Sequence, residues 1–236
     1  LHPDRWPVSI PLGHRDEKDS DMPETLRIRP TISAPPPTNP LLAPQPPIAP
    51  LTPPVHVVDL MTAAGSAMFG AVWRGKEAKI VECPALSDSM PEFKTTYDVD
   101  PYAGVKGFDD ADWPVIAATD LGARRGGGMI SFFWYRARLT IPADAAGFAT
   151  AGAKTVFRVN IDDYAEIWVN GEMPRAAGRP SPGCIQGFNM PHRLVLADMV
   201  NPGDSFEIAV FAINGPISAA PANFLWFREA KIEFYR

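Results

Sequence analysis

From residue 55 to the end of the chain, short runs rich in β-branched and aromatic residues alternate with turn-forming clusters. The runs cover residues 55–60, 68–73, 78–82, 131–141, 154–160, 165–169, 193–196, 205–213 and 224–235, and each has the length and composition of a strand. Between them stand Asp109-Asp110, Gly126-Gly127-Gly128, Asp162-Asp163, Asn170-Gly171, Asn201-Pro202-Gly203-Asp204 and Asn214-Gly215-Pro216, all of them turn signals. No segment sustains a helical period. Nine short strands without alternating helices predict an all-β protein, an antiparallel β-sandwich or jelly roll. Asn170-Gly171 is the sharpest local signal, because both central residues of a type I′ turn need positive φ. Residues 167–169 are therefore expected to enter a tight hairpin there.

The first 54 residues break this pattern. They hold 15 of the 27 prolines, so the chain divides into an arm, residues 1–54, and a β-sandwich domain, residues 55–236. From Pro30 to Pro54 the sequence reads PTISAPPPTNPLLAPQPPIAPLTPP, where fixed φ angles and missing N–H donors exclude helix interiors and central strands. An extended polyproline II arm is predicted, and at 3.1 Å per residue this stretch reaches roughly 75 Å. Pro35, Pro36, Pro37, Pro46 and Pro47 stiffen it, while Leu41, Leu42, Ile48 and Leu51 add apolar side chains that a solvated linker does not need. Two readings stand: these residues anchor the arm on neighbouring polypeptides, or they are incidental in a flexible tether. Anchoring is the expectation adopted here.

Charge and cysteine usage narrow the partners. Formal net charge is -5 with a pI near 5.4 and no Lys/Arg block neutralises several phosphates at once, so nucleic acid is not an expected partner. Four His and two Cys lack ligand spacing, and no structural metal is expected. The most apolar stretch, 209–227, is interrupted by Asn214, Gly215, Pro216, Pro221 and Asn223, so no membrane span is expected of it. The chain opens on Leu1 without a basic-then-apolar leader, which suggests that an upstream segment was removed and places the protein outside the cytoplasm, in the periplasm or at the cell exterior. Cys83 and Cys184 either form a disulfide, closing a loop of about 100 residues at a gain of roughly 4–5 kcal/mol, or remain two buried thiols. Spacing does not choose between them.

Several motifs in the second part occur in a telling order: Phe108-Asp109-Asp110 with Trp113, Phe133-Trp134-Tyr135-Arg136, the run from Asp162-Asp163-Tyr164 to Asn170-Gly171, and Pro202-Gly203-Asp204. In this order they resemble the galactose-binding-like, sugar-binding jelly-roll domain of family 2 glycoside hydrolases. The chain is similar above all to the galactose-binding-like domain that precedes the β-propeller in some bacterial gluconolactonase-like proteins. That second likeness is carried by Arg175, Gly187-Phe188-Asn189, residues 213–218 and the closing stretch from Pro221-Ala222-Asn223-Phe224 to Tyr235. It covers residues 55–236 and leaves out the arm. The cysteine pair lies outside the pattern, so it lends no support to a bridge.

Each motif also has a reading without a ligand. On the Trp-Tyr-Arg strand, Trp134 is expected to enter the core while Arg136 covers a sheet edge or pairs with a carboxylate. Asp162-Asp163-Tyr164 is a turn in which short carboxylates accept backbone N–H groups, or else part of a Ca²⁺ or sugar-hydroxyl site. A sugar site would draw its aromatic platform and polar groups from Trp113, Tyr164, Asn189 and Asn214, beside Asp162 and Asp163. Catalysis is not expected. Asp162, Asp163 and Glu166 crowd one turn rather than flanking a cleft, and the resemblance places the chemistry of its relatives in a separate barrel or propeller. No nucleophile elbow or phosphate loop occurs, and Gly126-Gly127-Gly128 precedes a strand, not a helix. Arg124-Arg125 is a candidate surface for an acidic partner. The leading expectation is a non-catalytic accessory subunit, without cofactor, of a larger assembly such as a bacterial membrane complex, photosynthetic ones among them. The alternative is a carbohydrate-binding module.

Overall fold

The computed structural model describes residues 49–84, 95–127, 130–173, 175–176, 179–180, 185–186, 189–214 and 223–236. In chain order its strands are β1 (His56–Asp59), β2 (Trp73–Glu77), β3 (Lys79–Pro84), β4 (Thr95–Asp100), β5 (Val115–Ile116), β6 (Ser131–Thr140), β7 (Asp144–Ala145), β8 (Phe148–Ala149), β9 (Lys154–Asp162), β10 (Tyr164–Val169), β11 (Arg175–Ala176), β12 (Arg179–Pro180), β13 (Ile185–Gln186), β14 (His192–Ala197), β15 (Ser205–Asn214) and β16 (Trp226–Tyr235), and helix α1 (Ala63–Met68) follows β1. Two antiparallel sheets form a sandwich. One has the order β1-β16-β9-β14 and the other β13-β10-β15-β6-β2-β5, with β3-β4, β7-β8 and β11-β12 as separate hairpins.

The period of two along each long strand fills the space between the sheets. On β9 it sends Phe157, Val159 and Ile161 inward, and on β6 Phe133, Tyr135, Ala137 and Leu139, all of them buried. Phe227 of β16 ties the layers together, meeting Tyr135 edge-on at 4.6 Å between centroids and Trp73 at 5.3 Å. A register shift between Phe227 and Glu229 makes Arg228 an extra residue on β16. Because of that bulge, Phe227 and Ala230 both reach the core although they are three apart.

The six-stranded sheet has a second core on its far face. There the loop 101–113 lies over Trp134, Arg136 and Trp168. Trp134 Nε1 donates to the Pro101 carbonyl at 2.8 Å, Arg136 Nε donates to Asp110 Oδ2 at 2.8 Å, and the Arg136 guanidinium also reaches the Ala103 carbonyl. Phe108 packs edge-on against Trp113, and Tyr102 against Trp168. Gly104 passes so close to the Trp168 indole that a Cβ would come within 2.7 Å of it. Trp134 enters the core and Arg136 pairs with a carboxylate, as the strand leads one to expect, but the two do not point to different sides. Two residues apart on one strand, they share a face, and the loop buries both.

Residues 68–73, expected as a strand, instead finish α1 and turn into β2, which starts only at Trp73. The reason is local: Thr62 Oγ1 accepts from Gly65 N at 3.0 Å as an N-cap. Gly65 fits because any Cβ there would strike the Asp59 carbonyl. Strand β4 was not expected, its apolar residues being separated by Thr and Asp. The turn at Asn170-Gly171 has positive φ at both residues, 52° and 84°, and Val169 and Glu172 exchange backbone bonds across it at 2.8 and 3.0 Å. That is the two-residue hairpin turn the sequence predicts.

Candidate functional site

Two places on the sandwich combine charge, burial and unusual chain placement. The first is the outer face of the four-stranded sheet, where the end of the arm is seated. Alternation turns Arg158 on β9, Glu229, Lys231, Glu233 and Tyr235 on β16, and Arg193 on β14 toward this face, where Arg158, Arg193, Glu229 and Lys231 are half-buried and Glu233 and Tyr235 are buried. Register sets Lys231, Arg158 and Arg193 side by side across three strands. Like charges placed directly opposite repel, and two carboxylates offset them. Glu229 Oε2 lies 2.7 Å from Arg158 Nε, while Glu233 contacts Arg158 at 3.4 Å and Arg193 at 2.9 Å.

Glu233 is only 2% exposed and also accepts from the Tyr235 hydroxyl at 2.6 Å. Burial pushes its carboxyl up, but the hydrogen bonds from Tyr235 and Arg193 and the charges of Arg193 and Arg158 outweigh that and hold it below the usual carboxylate range. Tyr235 is pushed the other way, to about 12, by burial and by the carboxylate it donates to. Arg193 is raised as well, since its bonds to Glu233 overcome its own desolvation.

The arm closes over this network. Arg193 NH1 donates to the Pro50 carbonyl at 2.8 Å, and Ala49 is buried against Val156, Tyr235 and Val195. Leu51, one residue beyond Pro50, is 97% exposed, and Val55 and Val57 beside it are exposed too. Of the arm residues expected to seat on a partner, Leu51 stands in solvent. Pro35, Pro36, Pro37, Leu41, Leu42, Pro46, Pro47 and Ile48 lie outside the described residues.

The second place is the rim where β9 passes into β10. Asp162 accepts from Arg228 Nε and from Asn214 Nδ2, each at 3.1 Å, and Asn214 also donates to the Phe224 carbonyl. The Asp163 carbonyl accepts from Asn189 N at 2.9 Å, and the Asn189 carbonyl from Asn160 Nδ2 at 2.8 Å. Asp162, Asp163, Asn189 and Asn214 thus come together. Tyr164 begins β10 and donates to Glu166 Oε1 at 3.0 Å. Trp113 is elsewhere: at 3% exposure it belongs to the plug over the six-stranded sheet, because buried Arg136 and its partner Asp110 need apolar cover. Among the described residues no group of three or more His, Cys, Asp or Glu is placed to hold a metal. No helix among them is long and apolar enough to cross a membrane. Cys83 is buried and free, and Cys184 lies outside the described residues.

Sequence reasoning missed Glu233, Arg193, Tyr235, Trp226 and Arg228. The signal was present in β16, where Glu229, Lys231, Glu233 and Tyr235 fall on every second position and so share one face.

The fold defines a class, the antiparallel two-sheet β-sandwich. No protein-family model matches the chain, and no curated protein matches it. Among solved structures it is similar to β-glucuronidase 2 of Bacteroides uniformis, with 16% identity over 69% of this chain and 18% of that one and a TM-score of 0.36. It is similar also to a family 2 glycosyl hydrolase of Bacteroides cellulosilyticus, with 17% identity, 69% and 20% coverage and a TM-score of 0.36. A third is a family 31 α-xylosidase of Xanthomonas citri, with 12% identity, 77% and 19% coverage and a TM-score of 0.26. The chain spans 18–20% of the length of these enzymes.

Proposed function

We propose that this chain is a non-catalytic accessory subunit of a larger extracytoplasmic assembly, a bacterial membrane complex being the expected host. The observation that supports this reading most directly is the latch between Arg193 and Pro50. It seats the last residues of the proline-rich arm on the sandwich, and a polyproline sequence, low in conformational entropy before it binds, loses little of it on meeting a neighbour. Leu51, Val55 and Val57 add exposed apolar surface beside that seat. The experiment is sedimentation of the native particle, with the full chain compared against one lacking residues 1–48. The full chain is expected to travel with a larger particle and its arm to resist protease, whereas the truncated chain stays at the top of the gradient. A full chain that sediments as a monomer with a cleavable arm refutes the proposal.

A second reading, a carbohydrate-binding module like those joined to glycosidases and sugar lactonases, is favoured by the gathering of Asp162, Asp163, Asn189 and Asn214 at one rim. Against it, Trp113 offers no platform, and Asp162 and Asn214 satisfy one another and Arg228. Calorimetric titration with neutral and acidic sugars decides it, and heat of binding abolished by Asn214→Ala would favour the module.

A further inference from the structure

The sequence presents Arg124 and Arg125 as a pair, and the structure separates them. Arg125 turns inward: its guanidinium donates to the carbonyls of Asp120, Leu121 and Ala123 and lies over the rings of Phe133 and Tyr135. Its backbone is pinned to Leu225 by two hydrogen bonds of 2.8 Å. That pinning sets Arg124 beside the neighbours of Leu225. The exposed Arg124 guanidinium lies 5.8 Å from the centre of the Phe224 ring and 5.2 Å from that of Trp226. Arg228 approaches the same indole, also at 5.2 Å, and is held there by Asp162.

A guanidinium held against rings spends none of its N–H donors on a hydrogen-bond acceptor, so its fork stays available to take a carboxylate bidentately. Arg228 has its carboxylate already. Among the described residues Arg124 has only rings as partners. We propose that Arg124, stiffened by Phe224 and Trp226 and backed by the charge of Arg228, is a receptor for aspartate or glutamate side chains on an acidic protein partner. An acidic sugar fits less well, since two guanidinium groups over Trp226 leave little of the indole for a pyranose ring to stack on. The identity of the ligand as a protein rests on the accessory-subunit reading. The receptor geometry does not.

The test uses the full chain and a fluorescein-labelled octaglutamate peptide, followed by anisotropy at low salt, with polygalacturonate as the competing polyanion. Wild type is expected to bind the peptide, and Arg124→Ala to weaken it about tenfold, the scale of a charge-assisted hydrogen-bonded pair. Arg124→Lys, which keeps the charge but not the fork, is expected to weaken it as well. Arg138→Ala removes the same charge from another exposed site and is expected to leave binding unchanged. An unaltered melting curve shows that Arg124→Ala is folded. Equal losses in Arg124→Ala and Arg138→Ala, no binding by wild type, or Arg124-dependent binding of polygalacturonate but not of the peptide would each overturn the proposal. Sedimentation of the arm-truncated chain reads the accessory role independently, so failure of one is distinguishable from failure of the other.

Discussion

Replacing Glu233 by Gln tests whether the ionic network under the arm is held by its carboxylate. The amide keeps the shape of the side chain and can still accept from Tyr235, but it removes the one negative charge shared by Arg158 and Arg193. Lys231, Arg158 and Arg193 then stand in a row with Glu229 alone to offset them. Removing one member of a buried pair costs about 3–5 kcal/mol. Here Arg158 retains Glu229, and Arg193 retains the Pro50 carbonyl, so the expected loss is smaller, about 2–3 kcal/mol. For a domain of this size that lowers the melting temperature by roughly 4–12 °C. Urea unfolding should show a lower midpoint with an unchanged slope. The pH dependence supplies a sharper check. Because the folded state holds the Glu233 carboxyl below its ordinary value, its stabilisation is complete at neutral pH and disappears as pH falls below the ordinary carboxylate range and through the folded value. The gap between wild type and Glu233→Gln should therefore be full at neutral pH and close in acid. A gap under about 0.5 kcal/mol at neutral pH, within the range of a neutral surface substitution, would refute the reasoning.

Gly171→Ala should destabilise by about 1–3 kcal/mol, since Gly171 has a φ of 84° and a Cβ would meet the Lys106 backbone nitrogen at 2.4 Å; a denaturant midpoint equal to wild type would contradict this. Trp113→Ala should cost about 3–5 kcal/mol by emptying the plug over Arg136, and calorimetric unfolding measures it. Retained stability would return Trp113 to the surface role the sequence suggested. The buried Cys83 thiol should resist alkylation until the chain is unfolded, and mass spectrometry with and without denaturant reads this directly.

The long strands were legible because their period of two is set by the core: 131–141, 154–160, 205–213 and 224–235 match β6, β9, β15 and β16 to within a few residues at either end. The Asn170-Gly171 turn was legible because its demand for positive φ is local. The short helix was not, since its six residues are too few to show a period, and its N-cap looks like any loop threonine. At the candidate site, the meeting of Asp162, Asn189 and Asn214 depends on strands far apart in sequence coming to one rim. The outward face of β16 could be read from its alternation, but not which cations would cross it.

Trp113 shows how a different question would have recovered more. The stretch Phe108-Asp109-Asp110-Ala111-Asp112-Trp113 reads as a loop bearing acids and aromatics, and such a loop suits a sugar. The strand Phe133-Trp134-Tyr135-Arg136 poses a prior demand. If Tyr135 and Phe133 face the sandwich interior, Arg136 must lie on the opposite face with Trp134, and a guanidinium beside a tryptophan needs a carboxylate and cover if anything packs over it. The acidic and aromatic loop supplies both: Asp110 for the charge, and Phe108, its ring centre 5.3 Å from the Arg136 guanidinium, with Trp113 for the cover. The internal partner lies along the same chain at high effective concentration, whereas a sugar must be recruited from solution. A loop of this composition opposite a buried cation is therefore first a plug, and a ligand site only where it presents more donors and rings than the plug consumes.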